Sequence, residues 1–76
     1  MARDVNIAFS RLWLACVMDD VRKAGVKGLS KAWVWTSDRR TWEFHFGDFF
    51  DCFNASNAYE ARAKGWESFL RKTPSK

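Results

Sequence analysis

The segment Thr41–Phe46 alternates between aromatic and polar residues, and this pattern constrains the fold more than any other feature of the chain. The aromatic positions are Trp42, Phe44 and Phe46, and the polar positions are Thr41, Glu43 and His45. A period of two residues is typical of a β-strand with one buried face. The segment therefore predicts a strand with an aromatic face, which needs neighbouring strands and a covering layer.

Two more strands are predicted beside this one. Residues 31–36 are rich in aromatic and β-branched side chains, and the polar residues 37–40 separate them from Thr41–Phe46. On the other side, Gly47 and Asp48 precede residues 49–53, which are apolar except for Asp51. A Gly-Asp pair between apolar strands predicts a two-residue hairpin, because glycine accepts the positive φ that such turns need. The three segments predict a three-stranded antiparallel meander.

The turn lengths give a predicted register, since paired residues share a face of the sheet. The predicted pairs are Phe46 with Phe49, Phe44 with Asp51, Trp42 with Phe53 and, across a four-residue first loop, Trp35 with Trp42 and Trp33 with Phe44. Most large aromatic side chains then lie on one face, which we interpret as core. The alternative is an exposed stacking platform for single-stranded nucleic acid. A slip of one residue would exchange the faces of a strand.

A helix is predicted before the sheet, from residue 3 or 4 to about residue 24, where Gly25 gives a stop signal. Its apolar side chains spread around most of the circumference, and such a helix needs burial on more than one side. We therefore expect part of it, with Trp13, Leu14 or Val17 as candidates, to contact another protein. That protein is either a second copy of the chain, giving a homodimer, or a target. The alternative is a buried central helix.

A second helix is predicted after the sheet. Asn57 and Glu60 have the spacing of a capping box, and the helix should run to about Lys72 with one apolar side. The whole chain then predicts an α+β fold in two layers, in which a helix, the meander and a second helix follow one another. Both helices should cover the aromatic face. We expect a single domain, with residues 73–76 as a disordered tail.

One charged residue falls on the apolar side of the second helix. That residue is Arg62, and Asp51 is the one acid predicted on the aromatic face of the sheet. Because a buried arginine needs a partner, we predict a structural ion pair between Arg62 and Asp51. The alternative is an arginine whose stem packs while its charged end reaches water.

No catalytic or metal-binding motif is evident. His45 is the only histidine, which is too few for a zinc site, and no nucleophile has an orienting histidine near it in sequence. We predict no metal, no cofactor and no enzymatic activity. Cys16 and Cys52 are typical of two thiols in a reducing cytosol. With no evident signal peptide or membrane span, we expect a cytoplasmic protein.

The basic residues favour an acidic partner. The net charge is +4, which permits nucleic acid or an acidic protein surface. Arginines on a projecting hairpin can bind a phosphate backbone or an acidic groove, although a solvated turn is the alternative. The predicted partner-binding residues are Arg39 and Arg40 at the hairpin tip, Lys31 and Lys27 before the sheet, and Trp13 and Val17 on the first helix.

The order helix, three strands, helix is similar to that of double-stranded-RNA-binding domains. That family opens its last helix with lysines that contact RNA phosphates. The matching segment here is SNAYEAR, which carries Glu60 and no lysine. The resemblance therefore implies an order of elements rather than a duplex RNA site.

A second resemblance concerns WVWTSDRRTWEFHFGDFF followed by NASNAYEARAKGWESFL. This half looks like small accessory proteins of bacteriophages, which place a tryptophan-rich hairpin before an Ala-rich helix ending in Gly-Trp. The resemblance implies binding and blocking of a host protein or nucleoprotein complex in the bacterial cytoplasm, as anti-CRISPR proteins block defence complexes. We therefore expect a non-enzymatic inhibitor that occludes a surface. The alternative is a nucleic-acid-binding module that uses the basic hairpin and loop.

Overall fold

Two helices cover one face of a three-stranded antiparallel sheet, in the predicted order. This computed structural model describes residues 2–72 and the side chains of residues 6–72, so the predicted tail, residues 73–76, lies outside the described residues. The elements are α1 (Ala2–Lys23), a short 3-10 turn (Leu29–Lys31), β1 (Trp33–Thr36), β2 (Thr41–Phe46), β3 (Phe49–Asn54) and α2 (Ala58–Lys72). The strand order is β1-β2-β3. The predicted α+β fold is confirmed.

The second hairpin has the predicted register. Phe46 pairs with Phe49 across the two-residue turn, and the further pairs Phe44 with Asp51 and Trp42 with Phe53 follow. Gly47 has a φ of 60°, a conformation that costs glycine little because it has no Cβ. The aromatic side chains of β2 and the first residue of β3 therefore face the helices.

The predicted register of the first hairpin is wrong by one residue. Trp33 pairs with His45, Trp35 with Glu43 and Thr36 with Trp42, so that five residues separate the last pair. Because side chains alternate between faces, this shift turns Trp33 and Trp35 away from the helices. Val34 takes the inward position opposite Phe44.

Side-chain hydrogen bonds in the first loop explain the extra residue. The Thr36 hydroxyl donates to the Thr41 carbonyl at 2.7 Å and accepts the Arg39 backbone N–H at 2.9 Å. The Asp38 carboxylate accepts the backbone N–H groups of Arg40 and Thr41, each at 2.8 Å. Thr41 is thus bound by the loop on this side, and the ladder with β1 starts one residue later.

The core lies between α2 and the sheet. Phe44 and Trp66 are buried and pack edge to face, with ring centroids 5.2 Å apart. Gly65 lies directly against the Phe44 side chain, which leaves no room for a Cβ. The predicted cap also forms, since the Asn57 side chain accepts the Glu60 backbone N–H at 2.8 Å. The Glu60 carboxylate accepts the backbone N–H of Ser56 at 2.8 Å in place of that of Asn57, so half of the capping box is present. The close approach of α2 to β2 therefore depends on Gly65, while the cap fixes where the helix begins.

α1 packs mainly on α2, and α2 is the element that contacts all three strands. The buried residues Val17 and Val21 join the core from the second half of α1. In the first half, the Asn57 amide donates to the Ser10 hydroxyl at 3.2 Å. The alternative of a buried central α1 is therefore wrong, because the central position belongs to α2.

Candidate binding surfaces

The first candidate surface is an apolar area on α1. Its residues are Phe9, Leu12, Trp13 and Cys16, which we call the α1 patch. Phe9 is 69% exposed and Leu12 is 62% exposed. Spacings of three and four residues place Phe9, Leu12 and Cys16 along one side of the helix. Two large hydrophobic side chains thus stand in solvent one turn apart.

Trp13 forms the fixed edge of the α1 patch. Its indole N–H donates to the Glu67 carboxylate of α2 at 2.9 Å, and its ring packs against the core. The predicted contact residue Trp13 therefore belongs to an accessible surface. The other predicted contact on this helix, Val17, is only 4% exposed and lies in the core. That part of the prediction is wrong, because Val17 faces α2 and the sheet.

The second candidate surface is the face of the sheet that the helices leave uncovered. Its aromatic residues are Trp33, Trp35, His45 and Phe50, which we call the outer strip. Trp33 is 51% exposed, while Trp35 and Phe50 are each 52% exposed. The tryptophans reach this face because of the one-residue register shift in β1. The predicted register places both tryptophans on the inner face and therefore does not predict the outer strip.

Three rings of the outer strip form a row across the sheet. The Trp33 and His45 rings stack with centroids 3.9 Å apart and planes 8° apart, and the Phe50 ring lies 4.8 Å from that of His45. His45 Nε2 contacts the Glu43 carboxylate at 2.8 Å. Cross-strand pairs of this kind restrict ring orientation. The stack therefore holds Trp33 in place while about half of the residue stays exposed.

The predicted basic residues lie before and after β1. Lys31 ends the 3-10 turn two residues before the strand, and Lys27 lies in the loop that precedes this turn. Arg39 and Arg40 follow the strand, and all four side chains are exposed. Backbone N–H groups of Thr41 and Arg40 hold the pKa of the Asp38 carboxyl below its ordinary value. The first loop thus keeps its acid ionised and turned onto its own backbone.

The predicted ion pair between Arg62 and Asp51 does not form. Asp51 instead accepts a hydrogen bond from the Ser68 hydroxyl at 2.5 Å and contacts Lys72 Nζ at 3.4 Å. The Ser68 bond, the Cys52 backbone N–H and Lys72 hold the pKa of Asp51 below its ordinary value. Arg62 is exposed, as in the alternative of an arginine whose charged end reaches water. Asp51 therefore joins β3 to the end of α2.

Several other features bear on function. Among the described residues, no group of three or more His, Cys, Asp or Glu side chains is placed to hold a metal ion. Cys16 and Cys52 are both free and exposed. None of the helices in the described part of the chain is long and apolar enough to cross a membrane.

Comparison of the chain with protein families, with curated proteins and with solved structures finds no match. Its function therefore has to be inferred from the α1 patch, the outer strip and the basic residues. The α1 patch and the outer strip differ in chemistry, because the first is almost wholly apolar whereas in the second Glu43 and His45 lie opposite the indoles on the neighbouring strand.

Proposed function

We propose that this chain is a non-enzymatic binding protein that covers a surface of another protein. The observation that carries the proposal is the exposure of Phe9 (69%) and Leu12 (62%) side by side on α1. Single exposed hydrophobic residues are ordinary, but a contiguous apolar area marks a site of contact. Burial of a Leu or Phe side chain contributes about 1.5–3 kcal/mol, so the α1 patch offers a partner substantial binding energy.

Trp13 strengthens this proposal. Its bond to Glu67 at 2.9 Å satisfies the indole N–H and fixes the ring beside the exposed residues. A rigid aromatic side chain loses little conformational entropy on binding, and tryptophan is enriched among the residues that dominate interface energies. Phe9, Leu12 and Trp13 would thus form the centre of the contact.

The class of partner is suggested by the resemblance of the second half of the chain to phage accessory proteins. We propose a host protein or nucleoprotein complex of the bacterial cytoplasm, such as a CRISPR defence complex, whose working surface is occluded. The resemblance supports this class, while the α1 patch supports the mode of contact. Inhibition of this kind would require the chain to stay bound to the surface and would not require it to catalyse a reaction.

The test is capture of a partner from bacterial lysate by the tagged chain, with and without nuclease and at low and high salt. The wild-type chain should retain one discrete protein under all four conditions, because an apolar contact is insensitive to both treatments. Leu12→Glu places a charge in the α1 patch and should abolish capture. Ala24→Glu adds the same charge at an exposed position beyond α1 and serves as the matched control.

Three outcomes would contradict the proposal. Capture that is equally strong for Leu12→Glu and Ala24→Glu would mean that the α1 patch is not the contact. Recovery of nucleic acid alone, lost on nuclease treatment, would replace the protein partner with nucleic acid. Sedimentation that shows a wild-type dimer and a Leu12→Glu monomer, without capture of any other protein, would assign the patch to self-association.

A further inference from the structure

We infer that the outer strip binds single-stranded nucleic acid, with bases stacked on Trp33 and Trp35 and phosphates held by the basic residues before and after β1. This site goes beyond the proposed function and uses different residues. Both helices lie on the inner face of the sheet, so no described element covers the outer one. Two half-exposed tryptophans on that face are available to a ligand.

The spacing of the two indoles suits stacked bases. Trp33 and Trp35 are two residues apart on one strand and share a face, which separates their Cα atoms by roughly 6.5–7 Å. That distance exceeds the ~3.4 Å rise between stacked bases, so the two indoles do not stack on each other and each can take a base. Trp33 is already oriented by its stack on His45, with planes 8° apart. A ring held in this way gives a base a fixed platform.

The polar groups beside the indoles favour nucleic acid over a protein surface. On the outer face Trp35 lies opposite Glu43 and Trp33 lies opposite His45. Planar rings that each have a hydrogen-bonding group beside them match bases, which have apolar faces and polar edges. The α1 patch, which is almost wholly apolar, shows the contrasting composition expected for a protein contact.

Charge complementarity is the second argument for this ligand. Arg39 and Arg40 lie three and four residues after the end of β1, and Lys31 lies two residues before its start, so cationic groups lie beyond both ends of the strand that carries the indoles. Among the nearby acids, Glu43 contacts His45 at 2.8 Å and Asp38 is turned onto the loop backbone.

Two more features concern the phosphate contacts. Asp48, in the turn after β2, is exposed at the end of the sheet where β1 begins, and it offsets one of the lysines. The arginine end is therefore the stronger contact with the backbone of the strand, and arginine also stacks on bases.

Fluorescence anisotropy with labelled oligo(dT) and oligo(U) of about 12 nucleotides, within the site sizes known for single-strand binders, tests the inference. Trp35→Leu keeps an apolar side chain but removes the platform, and it should weaken binding roughly 5- to 150-fold, the equivalent of about 1–3 kcal/mol per stacked base. Trp35→Phe should retain most of the affinity. Leu12→Glu, in the α1 patch, should change it less than twofold. The two oligonucleotides separate a DNA from an RNA preference.

The salt dependence tests the phosphate contacts. Between about 50 and 200 mM salt, log K should fall linearly with log salt, with a slope of roughly 0.7 per phosphate contact on a single strand. Replacing both Arg39 and Arg40 by alanine should therefore reduce that slope by about 1.4. Arg62→Ala removes an exposed charge on α2, on the other side of the sheet, and should leave the slope unchanged.

Each of the following results would overturn the inference. Absence of binding to both oligonucleotides at about 50 mM salt would end it. Binding that is lost with salt yet unchanged in Trp35→Leu would be non-specific attraction without stacking. Loss of the captured protein partner in Trp35→Leu, without oligonucleotide binding by the wild type, would make the outer strip a protein-binding surface. Near-ultraviolet circular dichroism of each variant verifies that its fold is intact.

Discussion

At the residue scale, Gly65 sets how closely α2 approaches the sheet. A Cβ at this position would come within 2.8 Å of the Phe44 Cβ and closer still to its ring. Gly65→Ala should therefore destabilise the fold by about 2 kcal/mol, because overpacking outweighs the gain of about 1 kcal/mol in helix propensity. Urea unfolding measures the change, with the exposed Arg62→Ala as control, for which about 0.5 kcal/mol or less is expected. If Gly65→Ala instead raises the free energy of unfolding, the Phe44 side chain must be able to move away from the added Cβ.

Asp51 predicts a pH dependence of stability. Its folded-state pKa lies below the ordinary value of 3.8, chiefly because the Ser68 hydroxyl donates to it. Its contribution is therefore present above pH 3.8 and is lost as the pH falls through the lower, folded-state pKa. Asp51→Asn should cost about 1 kcal/mol at neutral pH and progressively less in acid. Unfolding curves along that pH range test this. An equal loss of stability for Arg62→Ala would contradict the structure, because it would indicate an ion pair between Arg62 and Asp51.

At the element scale, the first hairpin keeps an arginine where stability would favour glycine. Arg39 has a φ of 65°, in the left-handed region, which costs an L-residue roughly 1–2 kcal/mol. Arg39→Gly should raise the free energy of unfolding by up to about 1 kcal/mol after the entropic cost of glycine. It should also weaken oligonucleotide binding. Arg40→Gly is the matched control: it should lower both stability and binding, since Arg40 has no positive φ. A destabilised Arg39→Gly would contradict the account of this loop.

The elements differ in how much of them could be predicted from sequence. The second hairpin and the α2 cap follow from local signals, Gly47 and the pair Asn57 and Glu60, and both are confirmed. The register of β1 depends on bonds from the Thr36 hydroxyl, which turn length alone does not reveal. The sequence does not identify Phe9 and Leu12 as contact residues, because the position of α2 decides which side of α1 is buried.

At the scale of the whole molecule, α2 separates two kinds of surface. The α1 patch lies on the helix layer, where Trp13 shares a groove with β3 residues such as Phe53. Trp33 and Trp35 lie on β1, at the opposite edge and on the opposite face of the sheet. The buried cluster of Phe44 and Trp66 stands between them. A chain this small thus presents two separate surfaces because α2 packs on the sheet and α1 packs mainly on α2.

This separation predicts that the two surfaces act independently. Effects of substitutions more than about 7–10 Å apart, without shared partners, usually add within about 0.5 kcal/mol. The double variant of Leu12→Glu and Trp35→Leu should therefore bind oligonucleotide as Trp35→Leu does and capture lysate protein as Leu12→Glu does. Anisotropy and capture on all four chains, from wild type to double variant, measure the coupling. A Leu12→Glu chain that loses oligonucleotide affinity tenfold would mean that α1 and the outer strip contribute to one continuous site.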